Sequence, residues 1–376
     1  MARMHTTTYP HYASTAARLI MSALLAVACG SEPHTDIVQQ PEAVCFSTNV
    51  IQPVDNGVTR VSTVYDATDG IPQNSSIGIY GYYHDNSSWA DHYDASTHTT
   101  DAKPNFMLNQ QATNATPGSY YTYTPQKYWP NESGDRVSFV AYYPYTDDAN
   151  SSATGIVPLL TEDVAALPSY RFTVKNLPAD QVDFLVSPLL TDLQRASDHV
   201  HFPLYHATAK VYISVIVNDD LRQQLAFYKI NNLQLTNLKN AGVLTYTSAT
   251  DYGWSGRSGS QSYAFVQGEP QLLLPQTLSD DVCLTIDYSL TFNTDGTVYQ
   301  YDGTGQAVAV DQYTYAITGA TAQLNTVPVA APITEWLPNH VYHYIIRLGA
   351  RNISFTAQVV DWGDTDTMPN IEIEEE

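Results

Sequence analysis

The sequence predicts an all-β protein. Of its 376 residues, 28 are tyrosine, and threonine, valine and isoleucine are also frequent, which favours strands over helices. Many short segments alternate apolar and polar residues, the period of a strand with one buried face. Gly, Asn and Pro separate these segments at intervals typical of a β-sandwich. Because the chain is long enough for two cores, we expect two tandem β-sandwich domains.

The chain begins with a predicted signal peptide, residues 1–28. Arg3 and Arg18 flank a polar start, and the apolar stretch 19–28 that follows is too short to span a bilayer. We therefore expect this segment to be removed during export.

The residue after the predicted signal peptide is a cysteine. Small residues lead directly to Cys29, which resembles a bacterial lipobox. Its thiol is then expected to accept a diacylglycerol and to anchor a surface-exposed lipoprotein in the outer membrane. The alternative is an ordinary secretory signal cleaved near Ala28, with Cys29 left as a thiol. Residues 29–43 are polar and contain proline, as expected of a tether.

Residues 44–195 are predicted to form the N-terminal sandwich around one aromatic hairpin. Val137 to Tyr143 alternates as a half-buried strand, and the Tyr121/Tyr123 alternation predicts its partner across the turn formers 131–135. The polar segment 85–114 is predicted to be a long loop. Further strands are expected at 44–50, 58–64, 77–83, 170–174 and 182–186.

Residues 196–376 are predicted to form the C-terminal sandwich, after the polar segment 192–198. A hairpin is expected from residues 230–246 around the turn Asn240-Ala241-Gly242. Other alternating segments predict strands at 211–217, 284–292, 342–348 and 353–359. Residues 368–374 alternate apolar and acidic side chains beyond the last of these strands, which makes them a possible donor strand or a solvated tail.

The composition excludes several functions. The formal net charge is −22, so we expect no nucleic acid partner and repulsion by anionic lipid headgroups. No G-x-S-x-G, P-loop or H-E-x-x-H segment occurs, and we expect neither an enzyme nor a cofactor or metal. His92 and His98, each near an aspartate, could suggest a metal or sugar site, but a solvated loop explains them better. Cys45 and Cys283 lie in different predicted domains, so buried thiols are more plausible than a disulfide.

Several motifs occur in one order along the chain: Ile77-Gly78-Ile79-Tyr80, then Lys127-Tyr128-Trp129-Pro130, Val137-x-Phe139-x-Ala141-Tyr142-Tyr143-Pro144, Asp183-Phe184-Leu185-Val186, Phe202-x-Leu204-x-His206-Ala207-x-Ala209-Lys210-Val211, Trp336-x-Pro338-Asn339-His340 and Val359-Val360-Asp361-Trp362. This order resembles the fimbrillin (Mfa-like) family, type V pilus components and surface lipoproteins of anaerobic gut and oral bacteria. The resemblance spans nearly the whole mature chain and implies that both sandwiches are transthyretin-like.

The resemblance also implies a function and a maturation site. It implies a structural or adhesive pilus component that assembles with other pilus subunits by proteolysis-triggered strand exchange. Arg60 and Val61 flank the bond that a trypsin-like protease would cut, which removes the strand 44–50 and any anchor at Cys29. An anchor subunit would therefore have to escape cleavage. The alternative function is a monomeric surface lipoprotein that binds glycan through exposed aromatic side chains.

Overall fold

The computed structural model describes residues 41–51, 70–115, 120–195, 199–294, 296, 298–326, 333–349 and 353–361. Strands dominate these ranges, which confirms the all-β class. The strands are β1 (Phe46–Val50), β2 (Ser76–His84), β3 (Tyr93–Asp94), β4 (Thr99–Thr100), β5 (Met107–Thr113), β6 (Arg136–Tyr143), β7 (Ile156–Pro158), β8 (Ser169–Thr173), β9 (Leu185–Val186), β10 (Leu190–Leu193), β11 (Val200–His206), β12 (Ala209–Val217), β13 (Leu225–Leu238), β14 (Ala241–Tyr246), β15 (Tyr252–Ser258), β16 (Gln261–Ala264), β17 (Gln271–Leu273), β18 (Cys283–Asn293), β19 (Tyr299–Tyr301), β20 (Ala307–Ala309), β21 (Gln312–Gln323), β22 (His340–Leu348) and β23 (Ile353–Asp361).

The helices in the described ranges are single turns: α1 (Trp89–His92), α2 (Ser151–Thr154) and α3 (Asp219–Arg222), with 3-10 turns at Pro178–Asp180 and Leu324–Thr326. None of them has the length and apolar composition needed to cross a membrane.

A seven-stranded sheet organises the N-terminal half, in the order β1-β11-β9-β6-β2-β5 with β10 also paired to β6. Both of its faces are covered. Ile79 and Phe139 face a small core, whereas Tyr80 and Tyr142 face a large core. Strand β6 is therefore a central strand buried on both sides, and the prediction that it is half-buried is wrong. The alternation of apolar side chains along β6 therefore places them in turn in the small core and in the large core.

Two four-stranded sheets form a sandwich in the C-terminal half, in the orders β17-β12-β22-β23 and β16-β13-β18-β21. Ile213 and Tyr344 of the first sheet and Leu235 and Ile286 of the second all belong to the large core. Strands β12 and β22 run parallel, while β22 and β23 form the predicted antiparallel hairpin. The sequence predicted these strands but not the parallel pair.

Strand pairing crosses the predicted domain limit between residues 195 and 196. Strand β11, predicted to belong to the second domain, pairs with β1 and β9 of the first. A further four-stranded sheet, β15-β14-β8-β7, joins β8 from the first half to β14 from the second. The large core likewise contains residues from both halves. The polar composition before β11 therefore does not mark a separation between the sheets.

Three predicted local structures are wrong. The partner predicted for β6, around Tyr121, makes only isolated bridges, because β6 pairs with β2, β9 and β10. The predicted loop 85–114 contains β5, an edge strand next to β2. Strands β13 and β14 do not form a hairpin, since they belong to different sheets.

The cysteine prediction also requires correction. Cys283 is a free thiol, so it does not pair with Cys45. Cys45 is disulfide-bonded, and both side chains are partly exposed. The prediction of two buried thiols is thus wrong for burial at both positions and for redox state at Cys45.

Candidate functional site

The first strand, β1, occupies one edge of the seven-stranded sheet. It lies parallel to β11, with Phe46 opposite Val200 and Val50 opposite Leu204. The backbone N–H of Ile51 donates to the carbonyl of Leu204 at 2.7 Å, which continues the ladder past the end of the strand. A strand at the edge of a sheet pairs with only one other strand, so its replacement breaks fewer backbone hydrogen bonds than the replacement of a central strand.

Strand β1 is held in place by its own buried side chains and by that of Val44, which precedes it. Val44, Phe46 and Val50 are fully buried in the small core. The Phe46 ring lies 5.4 Å from the ring of Phe139 and 5.7 Å from that of Phe202, measured between centroids. Each such side chain contributes about 1.5 to 3 kcal/mol relative to exposure to water. Loss of β1 would therefore open an apolar groove lined by Phe139 and Phe202.

The segment 120–129 closes the outer side of β1. Its backbone N–H groups at Tyr121 and Trp129 donate to carbonyls of Phe46 and Glu42, both at 2.9 Å. Conversely, the N–H of Val44 donates to the carbonyl of Lys127 at 3.0 Å. We call this segment the clasp. Its hydrogen bonds are too irregular for a strand, and Pro125 and Pro130 lack the N–H groups that a continuous ladder needs.

Two tyrosines strengthen the clasp. The Tyr123 hydroxyl donates to the Val44 carbonyl at 2.7 Å, and the Tyr121 hydroxyl is 2.9 Å from Thr48 Oγ1. Burial raises the pKa of both phenols, so each keeps its proton at any physiological pH. The Tyr121/Tyr123 alternation was recognised in the sequence, but alternation does not indicate that these rings bind β1 instead of β6.

Polar groups border the exposed side of β1. His201 contacts Ser47 Oγ at 2.7 Å through Nδ1 and Asn49 Oδ1 at 2.6 Å through Nε2. Just before the strand, Arg195 Nε and Glu42 Oε2 form an ion pair at 2.7 Å. Partly exposed contacts of this kind contribute about 0 to 1 kcal/mol each, so they orient β1 more than they retain it.

The predicted site residues Cys29, Arg60 and Val61 lie outside the described residues, as does the candidate donor segment 368–374. The structure does describe both ends of the connection that contains Arg60. Residue 51 follows β1 at one edge of the sheet, and residue 70 precedes β2, which lies near the other edge.

The histidine-rich insertion forms a polar network and not a metal cluster. His84 and His92 stack with centroids 5.1 Å apart, and His92 Nδ1 contacts Asp101 at 2.8 Å. Asp192 accepts from the backbone N–H of Trp89 at 2.6 Å, which fixes α1 to the sheet. Burial and the neighbouring His92 lower the pKa of His84. The described residues contain no group of three or more His, Cys, Asp or Glu side chains placed to hold a metal.

Many of the tyrosines that the structure describes lie in the two cores, but one group is exposed on a β-arm. Strands β19 and β20 form a hairpin that extends the β18–β21 ladder beyond the sandwich. Tyr299 and Tyr301 of the hairpin are 62% and 81% exposed, and Tyr313 and Tyr315 of β21 are each 40% exposed. Sequence pattern alone does not separate these four from the buried tyrosines, because all alternate at strand positions.

Comparison with solved structures supports the fold. A fimbrial protein from Bacteroides vulgatus has a TM-score of 0.63 and 17% identity, over 85% of this chain and 99% of that chain. A candidate cell adhesion protein from Bacteroides uniformis has a TM-score of 0.50 and 15% identity, over 85% and 98% of the respective chains. At such low identity, these similarities show a shared fold alone.

Comparison at the sequence level identifies the family. A search of curated proteins finds no significant relative. The family model described as fimbrillin-like matches residues 59–362, which include every strand from β2 to β23. The protein therefore belongs to the fimbrillin-like family.

Proposed function

We propose that the protein is a structural and adhesive pilus subunit, exported as a lipid-anchored precursor and assembled by strand exchange with other subunits. The observation that carries this proposal is the position of β1, an edge strand with fully buried apolar side chains. Its only covalent link to the rest of the fold runs through the segment that contains Arg60. The role is structural, and it requires neither catalysis nor a cofactor.

Cleavage between Arg60 and Val61 would convert β1 into a separate peptide held by non-covalent contacts. Once it leaves, the Phe139 and Phe202 rings face water, and the outer backbone groups of β11 lose their partners. Buried polar groups without partners and exposed apolar surface are both unfavourable. A strand from a neighbouring subunit restores both kinds of contact.

The C-terminal segment of a neighbour is the proposed donor. In residues 368–374, Ile371 and Ile373 share one face, as alternate residues of a strand do. They can fill part of the space left by Val44, Phe46 and Val50. The smaller isoleucine side chains would not reproduce the aromatic contact of Phe46, so exchange should favour the donor only once cleavage has freed β1.

Treatment of the purified protein with a trypsin-like protease tests this function. We expect cleavage after Arg60 and then oligomers that withstand mild detergent, measured by mass spectrometry and light scattering. Arg60→Ala should resist the cut and stay monomeric. The double variant Ile371→Asp/Ile373→Asp should be cut by the protease but remain monomeric, because its donor strand no longer has an apolar face. Equal assembly of these variants and the unmodified chain would refute the mechanism.

Lipidation of Cys29 is the proposed anchor in the outer membrane, where residues 29–40 would tether the body. The predicted tether ends too late at residue 43, because Glu42 and Ala43 already contact the segment 120–129. We expect Cys29→Ser to move the protein from the detergent phase to the aqueous phase in phase separation. Because Cys283 is a free thiol, the disulfide of Cys45 and a lipid on Cys29 cannot coexist within one chain, and the proposed anchor requires Cys45 to be a thiol in the lipidated protein. The mass of the mature N-terminal peptide separates these outcomes, and a chain with an unmodified Cys29 thiol or a disulfide there would refute the anchor.

Glycan binding by a monomer is the second candidate function, favoured by the exposed tyrosines of the β-arm. Tyrosine rings can stack on sugar faces while their hydroxyls remain in water. Tyr299→Ala with Tyr301→Ala should abolish a saturable glycan-array signal and leave thermal stability unchanged. Binding that survives this change would exclude the arm as the glycan site.

A further inference from the structure

The sheet β17-β12-β22-β23 has a second face that points away from the large core. We call it the outer face and define it by Lys210, Tyr212 and Ser214 of β12 and Val341, His343 and Ile345 of β22. The register places these side chains together, since Lys210 pairs with Val341, Tyr212 with His343 and Ser214 with Ile345. A face turned away from the core of a sandwich is normally exposed to water.

The outer face is nevertheless buried. Val341 is 0% exposed and Ile345 is 6% exposed, but neither belongs to the small core or to the large core. Lys210 and His343 are each 4% exposed. The strands beside β12 and β22 are β17 and β23, which widen the sheet and cannot cover its face. Another segment of the chain must therefore lie over these side chains.

The burial is greatest at the end of the sheet where β23 finishes. Asp361, the last residue of β23, pairs with His340, directly beside the fully buried Val341. At the opposite end, Arg347 is partly exposed and its partner Ser354 is exposed. The most deeply buried part of the outer face thus lies beside residue 361, from which the chain continues into residue 362.

The charge and pattern of residues 362–376 match this surface. The segment has acidic residues at 364, 366, 372, 374, 375 and 376, while the outer face offers Lys210 and, at its rim, Arg347. Such basic positions are scarce in a chain with 16 Lys and Arg against 38 Asp and Glu. Ile371 and Ile373 share one face and can contact Val341 and Ile345. At about 3.3 Å per residue, the segment can turn and run the full length of β22.

We propose that residues 362–376 fold back onto the outer face of their own chain, with the isoleucines on Val341 and Ile345 and the carboxylates near Lys210 and Arg347. The surface is therefore an intramolecular docking site for an acidic, alternating strand. This inference concerns a single chain and does not depend on pilus assembly.

Cysteine labelling of the full chain tests the docking. Ile345→Cys should react slowly with iodoacetamide, and deletion of residues 363–376 should increase its rate at least about tenfold, because the site no longer has to open first. Peptide mapping measures the labelling of residue 345 separately from the labelling of the other cysteines. A synthetic peptide of residues 362–376 should restore protection, whereas the same peptide with aspartate at both isoleucine positions should not.

A chain that starts at residue 41 is the matched control, because it removes a second long terminal segment from the opposite end of the sequence. We expect it to remain protected. Exposure caused by the N-terminal deletion, or a C-terminal deletion that leaves the rate unchanged, would overturn the proposal. A second measurement avoids the cysteine. The NMR titration of His343, assigned with His343→Gln, should move towards that of an ordinary histidine on C-terminal deletion, and an unchanged titration would contradict the docking.

Discussion

At the scale of single residues, the attachment of β1 depends on a few inward-facing side chains. Phe46 contacts Phe139, Phe202 and Tyr123, the last with ring centroids 5.3 Å apart. Neighbouring positions in the same strand point outward and make polar contacts that water can replace. The alternation that defines the strand therefore also separates the residues that retain it from those that only border it.

Phe46→Ala should lower the free energy of unfolding by about 3 kcal/mol or more, because it leaves a cavity between rings. Ser47→Ala, its outward neighbour, should cost less than about 1 kcal/mol, since it removes one partly exposed hydrogen bond to His201. Urea denaturation measures both. Equal losses would mean that the aromatic contact does not dominate the attachment of β1.

His84 should make stability depend on pH. Burial lowers its pKa in the folded protein, while in the unfolded chain the pKa lies near its ordinary value of about 6.5. As the pH falls through about 6.5, the unfolded chain therefore binds a proton that the folded protein does not, and stability decreases. The facing titratable groups are His92, Asp101 and Asp192, of which His92 adds to the lowering and the aspartates oppose it.

The measurement is the slope of unfolding free energy between about pH 6.5 and 5. His84→Gln should reduce this slope, because glutamine keeps a polar side chain near Ser138 but does not titrate. His98→Gln, on the exposed turn between β3 and β4, is the control for replacing a histidine outside the packed surroundings of His84. An unaltered slope in His84→Gln would show that the imidazole titrates alike in the folded and unfolded states.

At the scale of elements, strand β2 owes its place to a close approach that only glycine allows. A Cβ added at Gly78 would lie 2.1 Å from Cε1 of Tyr142 and 2.7 Å from Oδ1 of Asn109. The Tyr142 ring cannot move easily, since its hydroxyl donates to Asn109 Oδ1 at 2.8 Å and accepts from the Thr146 N–H at 3.0 Å.

Gly78→Ala should accordingly destabilise the fold by about 1 to 3 kcal/mol through overpacking. Gly253→Ala is the matched control on strand β15, where an added Cβ meets no atom within 4 Å and the glycine lacks a positive φ. Thermal unfolding of the two variants tests the difference. A Gly78→Ala protein as stable as Gly253→Ala would mean that Tyr142 can shift aside at little cost.

The elements also show what the sequence can and cannot predict. Alternation located β2, β6, β12, β18 and β22, because it records burial along a strand. It did not give their partners. Strands β13 and β14 are close in sequence but lie in different sheets, and β1 pairs with β11, whose residues come 154 positions later (Phe46 with Val200). Pairing between distant strands depends on how their side chains pack against each other in the fold. The local pattern of a single sequence does not report those contacts.

The site was predictable to a similar extent. The strand 44–50 is predictable from its pattern, and the groove beneath it follows from the strand removal that the family resemblance implies. The clasp was missed, because its irregular hydrogen bonds have no period and its prolines indicate only an interruption. The candidate arginine, Arg60, remains a prediction from sequence.

At the scale of the whole molecule, the two halves share strands and one large core. The pairs β1–β11 and β8–β14 join residues on either side of the predicted limit, so a cut in the connection 196–198 severs the chain but not the sheets.

A protease site inserted at residues 196–198 should give two fragments on a denaturing gel that still elute together in size-exclusion chromatography. The expected unfolding transition is single, as for one cooperative unit. The same site placed in the β19–β20 turn, at Gly303, provides the control for cleavage at an exposed loop. Separate elution of the fragments cut at 196–198 would instead establish two independent domains.

The parallel pairing of β1 with β11 gives any filament built by strand exchange a direction. A donor that keeps this hydrogen-bond pattern can enter the groove in only one orientation, so each subunit is joined head to tail. The two ends of the filament then differ chemically, and growth at each is a separate process. If assembly follows the proposed strand exchange, an uncut molecule could donate its tail but could not accept one, because β1 fills its groove. Such a molecule would terminate the filament, and the ratio of cut to uncut molecules would set the mean filament length.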